Sequence, residues 1–132
     1  MHSSHELNRL SNVIIECALD IHRRLGPGLL ESVYESVLAY ELRKRGLHVQ
    51  TQLPIPVVWE DVHLEVGYRA DLIVEHSILV ELKSIETVAP VHKQQLLPQL
   101  RLADKRLGLL INFGTELLKD GITRIVNRFE EP

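Results

Sequence analysis

Apolar residues recur at intervals of three and four from the first turns of the chain. Leu10, Val13, Ile14, Cys17, Ala18, Ile21 and Leu25 lie on one face of a helix. Gly26-Pro27-Gly28 ends it, because glycine accepts positive φ and proline has no N–H to continue the ladder. Leu30, Val33, Tyr34, Val37, Leu38 and Leu42 mark a second amphipathic helix, closed by the basic turn Arg43-Lys44-Arg45 and by Gly46. The period then shortens from about 3.6 residues to about 2. Leu47 to Leu53, Ile55 to Glu60, Leu64 to Val74 and Ile78 to Lys83 predict strands, punctuated at Pro54, Asp61 and His76-Ser77. Pro90 opens a third helix to about Asp104, and the apolar run Leu107 to Asn112 predicts a buried strand. Ile122 to Val126 fits either a short strand or a helix. Two helices, a hairpin-rich segment, one helix and a further strand predict an α/β fold, a three-layer sandwich with a central mixed β-sheet flanked by helices.

Composition narrows the function. At 132 residues and 45% hydrophobic content, with neither repeat nor Gly/Ser linker, residues 1–132 read as a single domain with one core. The lone Cys17 can form no internal disulfide, which together with the lack of a signal-like apolar segment behind MHSSHELNRL suggests a cytoplasmic protein. No apolar run approaches the roughly 20 residues that span a bilayer, so no membrane association is expected. Fifteen basic against eighteen acidic residues leave a formal charge of −3. That balance argues against coating nucleic acid by bulk electrostatics, while leaving room for a local site. The acid excess is central: residues 51–100 carry seven acids and three bases. Such a cluster is either a solvated face or the ligand set of a divalent cation.

Spacing supplies the candidate chemistry. Asp71 is followed ten positions later by Glu81 and then by Lys83. On a strand Glu81 and Lys83 share a face. A three-residue turn over Glu75 to Ser77 pairs 74 with 78 and brings Asp71 opposite Glu81, with Cβ atoms about 5 Å apart; a two-residue turn would send them to opposite faces. Facing carboxylates repel unless a cation lies between them, and Mg²⁺ accepts one or two carboxylates together with phosphate oxygens. Lys83 would then stand beside the site, as in a phosphodiesterase. A surface Glu-Lys ladder is the competing reading. On the third helix His92, Gln95 and Gln99 share a face, where a neutral amide suits a water or a phosphate oxygen; Pro98 predicts a kink. Glu41 falls inside the apolar stripe of the second helix and requires a partner. His22 reads as a solvated or packing residue. The seven histidines lack metallohydrolase spacing, and no phosphate loop or nucleophile elbow is present.

Asp71 with Glu81-Leu82-Lys83 resembles the core of the PD-(D/E)xK nuclease superfamily, and Gly28-Leu29-Leu30-Glu31-Ser32-Val33-Tyr34 resembles the signature of its GxxExxY family. Asp20-Ile21-His22, Tyr40-Glu41-Leu42, Val66 to Asp71, Pro90-Val91-His92 and Leu109 to Phe113 follow the family pattern in order, over roughly residues 8 to 128. The resemblance implies a restriction-endonuclease-like fold and a metal-dependent nuclease. Asp71, Glu81, the Leu82 carbonyl and Glu31 would be metal ligands for Mg²⁺ or Mn²⁺, and Lys83 would position water. Read from the residues alone, Glu31 is equally a favourable acid in a first helical turn. Gln95 matches a catalytic glutamine, but Gln99 stands where a tyrosine is usual. Nucleic acid, with DNA foremost, is the implied partner, with Arg43 to Arg45 and Lys105-Arg106 as backbone contacts or ordinary helix ends. A homodimer would extend so small a grip on a duplex. A non-catalytic nucleic-acid-binding or regulatory module of the same fold, and a purely structural oligomer domain, are the alternatives.

Overall fold

The computed structural model describes residues 2–132, with the side chains of residues 65 and 66 outside the description, so that the Val66 side chain of the Val66 to Asp71 run lies outside the described residues. Helix α1 (Ser4–Leu25) starts before its apolar stripe because Ser3 and Glu6 form a capping box: the Ser3 hydroxyl accepts from the Glu6 N–H at 3.2 Å, and the Glu6 carboxylate accepts in return. Helix α2 (Glu31–Lys44) follows. Tyr34 fixes the intervening loop. Its buried ring stacks on Phe113 at 4.3 Å, and its hydroxyl donates to the Gly26 carbonyl at 2.5 Å while accepting from the Leu29 N–H at 3.1 Å.

The described residues then form strands β1 (Val49–Trp59), β2 (Val62–Val74) and β3 (Ile78–Lys83), helix α3 (Pro90–Ala103), strand β4 (Leu107–Asn112), a short 3-10 helix (Leu118–Gly121) and strand β5 (Ile122–Val126). Two strands expected on either side of Pro54 are one. β1 lies at the sheet edge, where a missing N–H is tolerated, so Pro54 and Pro56 do not break it. Residues 122–126 are a strand because β4 offers a free edge with which they pair antiparallel. Helix α3 continues through Pro98.

The sheet order is β1-β2-β3-β4-β5. β3 and β4 are parallel and joined through α3, whereas the other neighbours are antiparallel. Helices α1 and α2 cover one face, packing Ile14, Ile21, Leu38 and Leu42 onto Leu72, Val80, Leu82, Leu109 and Ile111. α3 covers the other, packing Leu96 and Leu100 onto Ile73, Leu79 and Leu110. The expected three layers are therefore present. Because β3 and β4 are covered on both faces, their sequences are almost continuously apolar. His22 is buried, with Nε2 2.9 Å from the Thr115 carbonyl oxygen, and serves packing rather than the solvated alternative. Glu41 pairs with Lys44 at 3.1 Å.

One buried amide secures the end of β3. Asn112 Nδ2 donates to the Ile85 carbonyl at 2.9 Å, and its Oδ1 accepts from the Ile85 and Gly114 N–H groups, both at 3.0 Å. Gly114 has no alternative there, since a Cβ would stand 2.1 Å from the Ile85 carbonyl oxygen. Replacing Asn112 by leucine strands buried backbone groups without partners. The expected loss is about 3 kcal/mol, read as a lower urea midpoint at unchanged slope.

Candidate active site

The β2–β3 hairpin turns through Glu75 and His76, both in left-handed backbone (φ 51° and 56°), with the Ser77 N–H donating to the Val74 carbonyl at 3.0 Å. Val74 pairs with Ile78, Ile73 with Leu79 and Leu72 with Val80. That three-residue register makes Asp71 and Glu81 the next position in line. The paired ladder, however, ends at Leu72 and Val80. Beyond it the Leu82 N–H donates to Asp71 Oδ2 at 2.8 Å, so a side chain takes up the strand's hydrogen bond. Strands β2 and β3 part at this point.

The alternation of faces changes there as well. Leu72 and Val74 belong to the core under α1 and α2, and Ile73 to the core under α3, as period two requires. Ala70, which parity would send beneath α1 and α2, packs instead with Ile73 and Leu100. On β1 the neighbouring change occurs between Val49, under α1 and α2, and Leu53 and Ile55, under α3. Gln52 lies between them with φ 50°, a left-handed residue inside a strand. Thr51 pairs with Leu72 and Leu53 with Ala70, so Gln52 and Asp71 face each other across the turn-over of the sheet.

A cleft of about 720 Å³ opens at this place, lined by Gly28 to Ser32, Glu35, Gln52, Asp71, Leu82 and Ser84. The α1–α2 loop forms one wall because Tyr34 draws it inward, and the Ser84 hydroxyl donates to the Leu29 carbonyl at 2.5 Å to hold that wall against the end of β3. Glu31 and Glu35, four residues apart on α2, both line the cleft.

Glu81 is held well above the ordinary carboxylate value of 4.5, at about 8. Burial is the largest cause, followed by the charge of Asp71, a hydrogen bond with Asp71, and the weaker charge of Glu31; Lys83 opposes the shift. Glu31, Asp71 and Lys83 are thus each close enough to act on Glu81. Among the described residues no three His, Cys, Asp or Glu side chains already converge as a metal-binding set. The electrostatics nonetheless describe adjoining carboxylates that Lys83 offsets only in part, and hard oxygen donors suit Mg²⁺ or Mn²⁺.

Glu81 and Lys83 do not line this cleft; they stand on β3 on either side of Leu82, which does. The other expected residues are placed differently. Gln95 is exposed on α3 and is not part of the cleft wall, while Gln99 is buried with its Oε1 unpartnered. His92 Nδ1 accepts from the Ala89 N–H at 3.0 Å, a helix-start contact. Of the basic candidates, Arg43 donates to the Val49 carbonyl at 2.7 Å, Lys105 to the His76 carbonyl at 2.7 Å, and Arg106 to the His2 carbonyl. Their hydrogen bonds brace the fold. Gln52 and Glu35 were not foreseen. The only sequence signal for Gln52 is a polar residue where the pattern of β1 changes phase.

A model of the PD-(D/E)XK nuclease superfamily matches residues 8–125. No curated protein matches the chain, and no solved structure does. Among the described residues no helix is long and apolar enough to cross a membrane.

The raised value of Glu81 has a consequence for stability. Between about 4.5 and about 8 the folded protein holds a proton that the unfolded chain has released. Stability from this group is complete below the lower value and is lost as pH rises through the upper one. Unfolding midpoints of the metal-free protein should fall across that window. Glu81→Gln, which keeps the shape of the protonated carboxyl, should flatten the decline; an unchanged slope in this variant would refute the assignment.

Proposed function

We propose that this chain, which belongs to the PD-(D/E)XK nuclease superfamily, hydrolyses phosphodiester bonds of DNA with Mg²⁺, Mn²⁺ being able to substitute. The observation that carries the reading is the pairing of Asp71 with a Glu81 that burial and its neighbours' charges leave protonated near neutral pH, beside Lys83 and a cleft that also takes in Glu31. An acid pair in this state fits a divalent cation better than it fits a structural role, because apolar residues would fill the same place at lower cost. Gly28, Glu31 and Tyr34 support assignment to the GxxExxY group, with Tyr34 and the α1–α2 loop shaping the cleft wall.

Asp71, Glu81, the Leu82 carbonyl and Glu31 would hold the cation. A bound Mg²⁺ neutralises these carboxylates, polarises the scissile phosphate and makes water more acidic. The protein's own groups do the rest. Asp71 is oriented by the Leu82 N–H, so the acid pair need not reorganise when substrate arrives. The Lys83 ammonium, on the same strand face as Glu81, donates to the attacking water or to a non-bridging phosphate oxygen and opposes the charge that develops there. Gln95, exposed on α3 beyond the short segment Ser84–Ala89, would meet the substrate backbone as a neutral donor outside the cleft wall.

Labelled single-stranded, duplex and branched DNA and RNA, incubated with Mg²⁺ or Mn²⁺, test the reading. Cleavage of DNA is expected from the wild type. Lys83→Ala should lower the rate by about 100-fold or more, and Asp71→Ala should abolish it while leaving nucleic-acid binding in place. Equal behaviour of wild type and Lys83→Ala on every substrate would overturn the catalytic assignment. Binding without cleavage, insensitive to Asp71→Ala, would identify a non-catalytic module.

A further inference from the structure

Gln52 occupies an unfavourable backbone state in the middle of a strand. At φ 50° a residue with a Cβ is strained, and the position sits at the point where both β1 and β2 exchange faces. A glycine would satisfy the backbone better. The side chain present there uses both protons of its amide: Nε2 donates to Glu35 Oε1 at 2.6 Å and to Asp71 Oδ1 at 3.1 Å. Asp71 Oδ2 is taken by the Leu82 N–H. Each oxygen of the Asp71 carboxylate therefore has one fixed neutral donor, on opposite sides of the group.

We propose that Gln52 is a positioning residue, which orients the Asp71 carboxylate and holds Glu35 apart from it, so that Asp71 presents its remaining lone pairs to a divalent cation while Glu35 stays outside the ligand set. The inference rests on the proposed metal-dependent reading of the same site. A neutral amide suits this place because it donates twice without adding charge. A lysine would pair with Asp71 and compete with a cation, and a glutamate would add a third repelling carboxylate. Glu35, tied on α2, fixes the amide from its far side, as outer groups commonly orient the residues that bind metal.

The backbone geometry makes the test selective. Gln52→Gly removes the amide but relieves the left-handed strain, so thermal unfolding without metal should occur at the same or a higher temperature than in the wild type. In isothermal titration of the full chain with Mn²⁺ the same variant should bind about 10-fold more weakly. Glu35→Gln should weaken binding less, and the double variant should be no worse than Gln52→Gly alone, because Glu35 acts through Gln52. Wild-type Mn²⁺ affinity in Gln52→Gly, or a lowered unfolding temperature showing that the side chain serves the strand instead, would overturn the inference. Asp71→Asn separates the two levels. If the wild type binds Mn²⁺ and Asp71→Asn does not, the site reading stands whatever Gln52 does; if the wild type binds no Mn²⁺, the site reading itself falls.

Discussion

The hydrogen bond from the Leu82 N–H to the Asp71 carboxylate holds the functional end of the sheet in its present form. A strand N–H at this level would ordinarily find a carbonyl on its neighbour. Here an acidic side chain occupies the place, which lets β2 and β3 separate without leaving a buried donor unsatisfied. The separation opens the cleft, and the same bond keeps Asp71 beside Glu81. A hydrophobic residue at 71 would leave the Leu82 N–H without a partner, so the carboxylate is required by the backbone as well as by any chemistry.

Maintaining two adjoining carboxylates has a cost that the surroundings must offset. Burial and the Asp71 charge drive Glu81 towards its neutral form, and Lys83 compensates only in part. The fold meets this with rigid support on the far side of β3. That strand pairs with β4 along its whole length, from Ile78 with Leu107 to Lys83 with Asn112, and the Asn112 amide then clamps Ile85. Glu81 and Lys83 therefore ride on the best-secured strand of the sheet, between two apolar layers, and the same strand brings Leu82 to the cleft, whose other walls come from the α1–α2 loop, α2, β1 and β2. The net charge of −3 accordingly overstates how hostile this end of the sheet is to phosphate, because that sum counts Glu81 as charged although burial and the Asp71 charge raise it to about 8.

Most of the architecture was legible in the residues, and most of what was not depends on neighbours distant in the chain. The helices follow from apolar spacing and from Gly26-Pro27-Gly28, and the β2–β3 register follows from a turn of the right length, which pairs Val74 with Ile78 through Leu72 with Val80 and makes Asp71 and Glu81 the next position beyond the ladder. Pro54 misled because proline excludes a central strand but not an edge, and strand order is not written locally. The residues left two readings open for His22 and for the basic clusters because their partners, the carbonyls of Thr115, Val49, His76 and His2, belong to distant or unremarkable stretches of chain. Gln52 was invisible for another reason. Its importance lies in a backbone angle and in two acceptors supplied by α2 and β2, none of which a local pattern encodes.

The inversion of β1 and β2 at Gln52 and Asp71 joins the site to the second core. At the end nearer the β2–β3 turn Val49, Leu72 and Val74 feed the layer under α1 and α2; on the other side of this point Leu53, Ile55 and Ala70, of the same parity, feed the layer under α3. A regular ribbon could not do both, since strict alternation would turn Ile55 and Ala70 away from Leu96 and Leu100. The irregularity that adds Leu53, Ile55 and Ala70 to the apolar partners of α3 is therefore the one that interrupts the ladder and leaves room for a carboxylate and an amide between strands. Packing beneath α3 then stabilises the strained angle at Gln52, because returning that residue to ordinary strand geometry would expose the apolar side chains beyond it. The polar site and the smaller core are two results of one change in backbone direction, and neither can be regularised without dismantling the other.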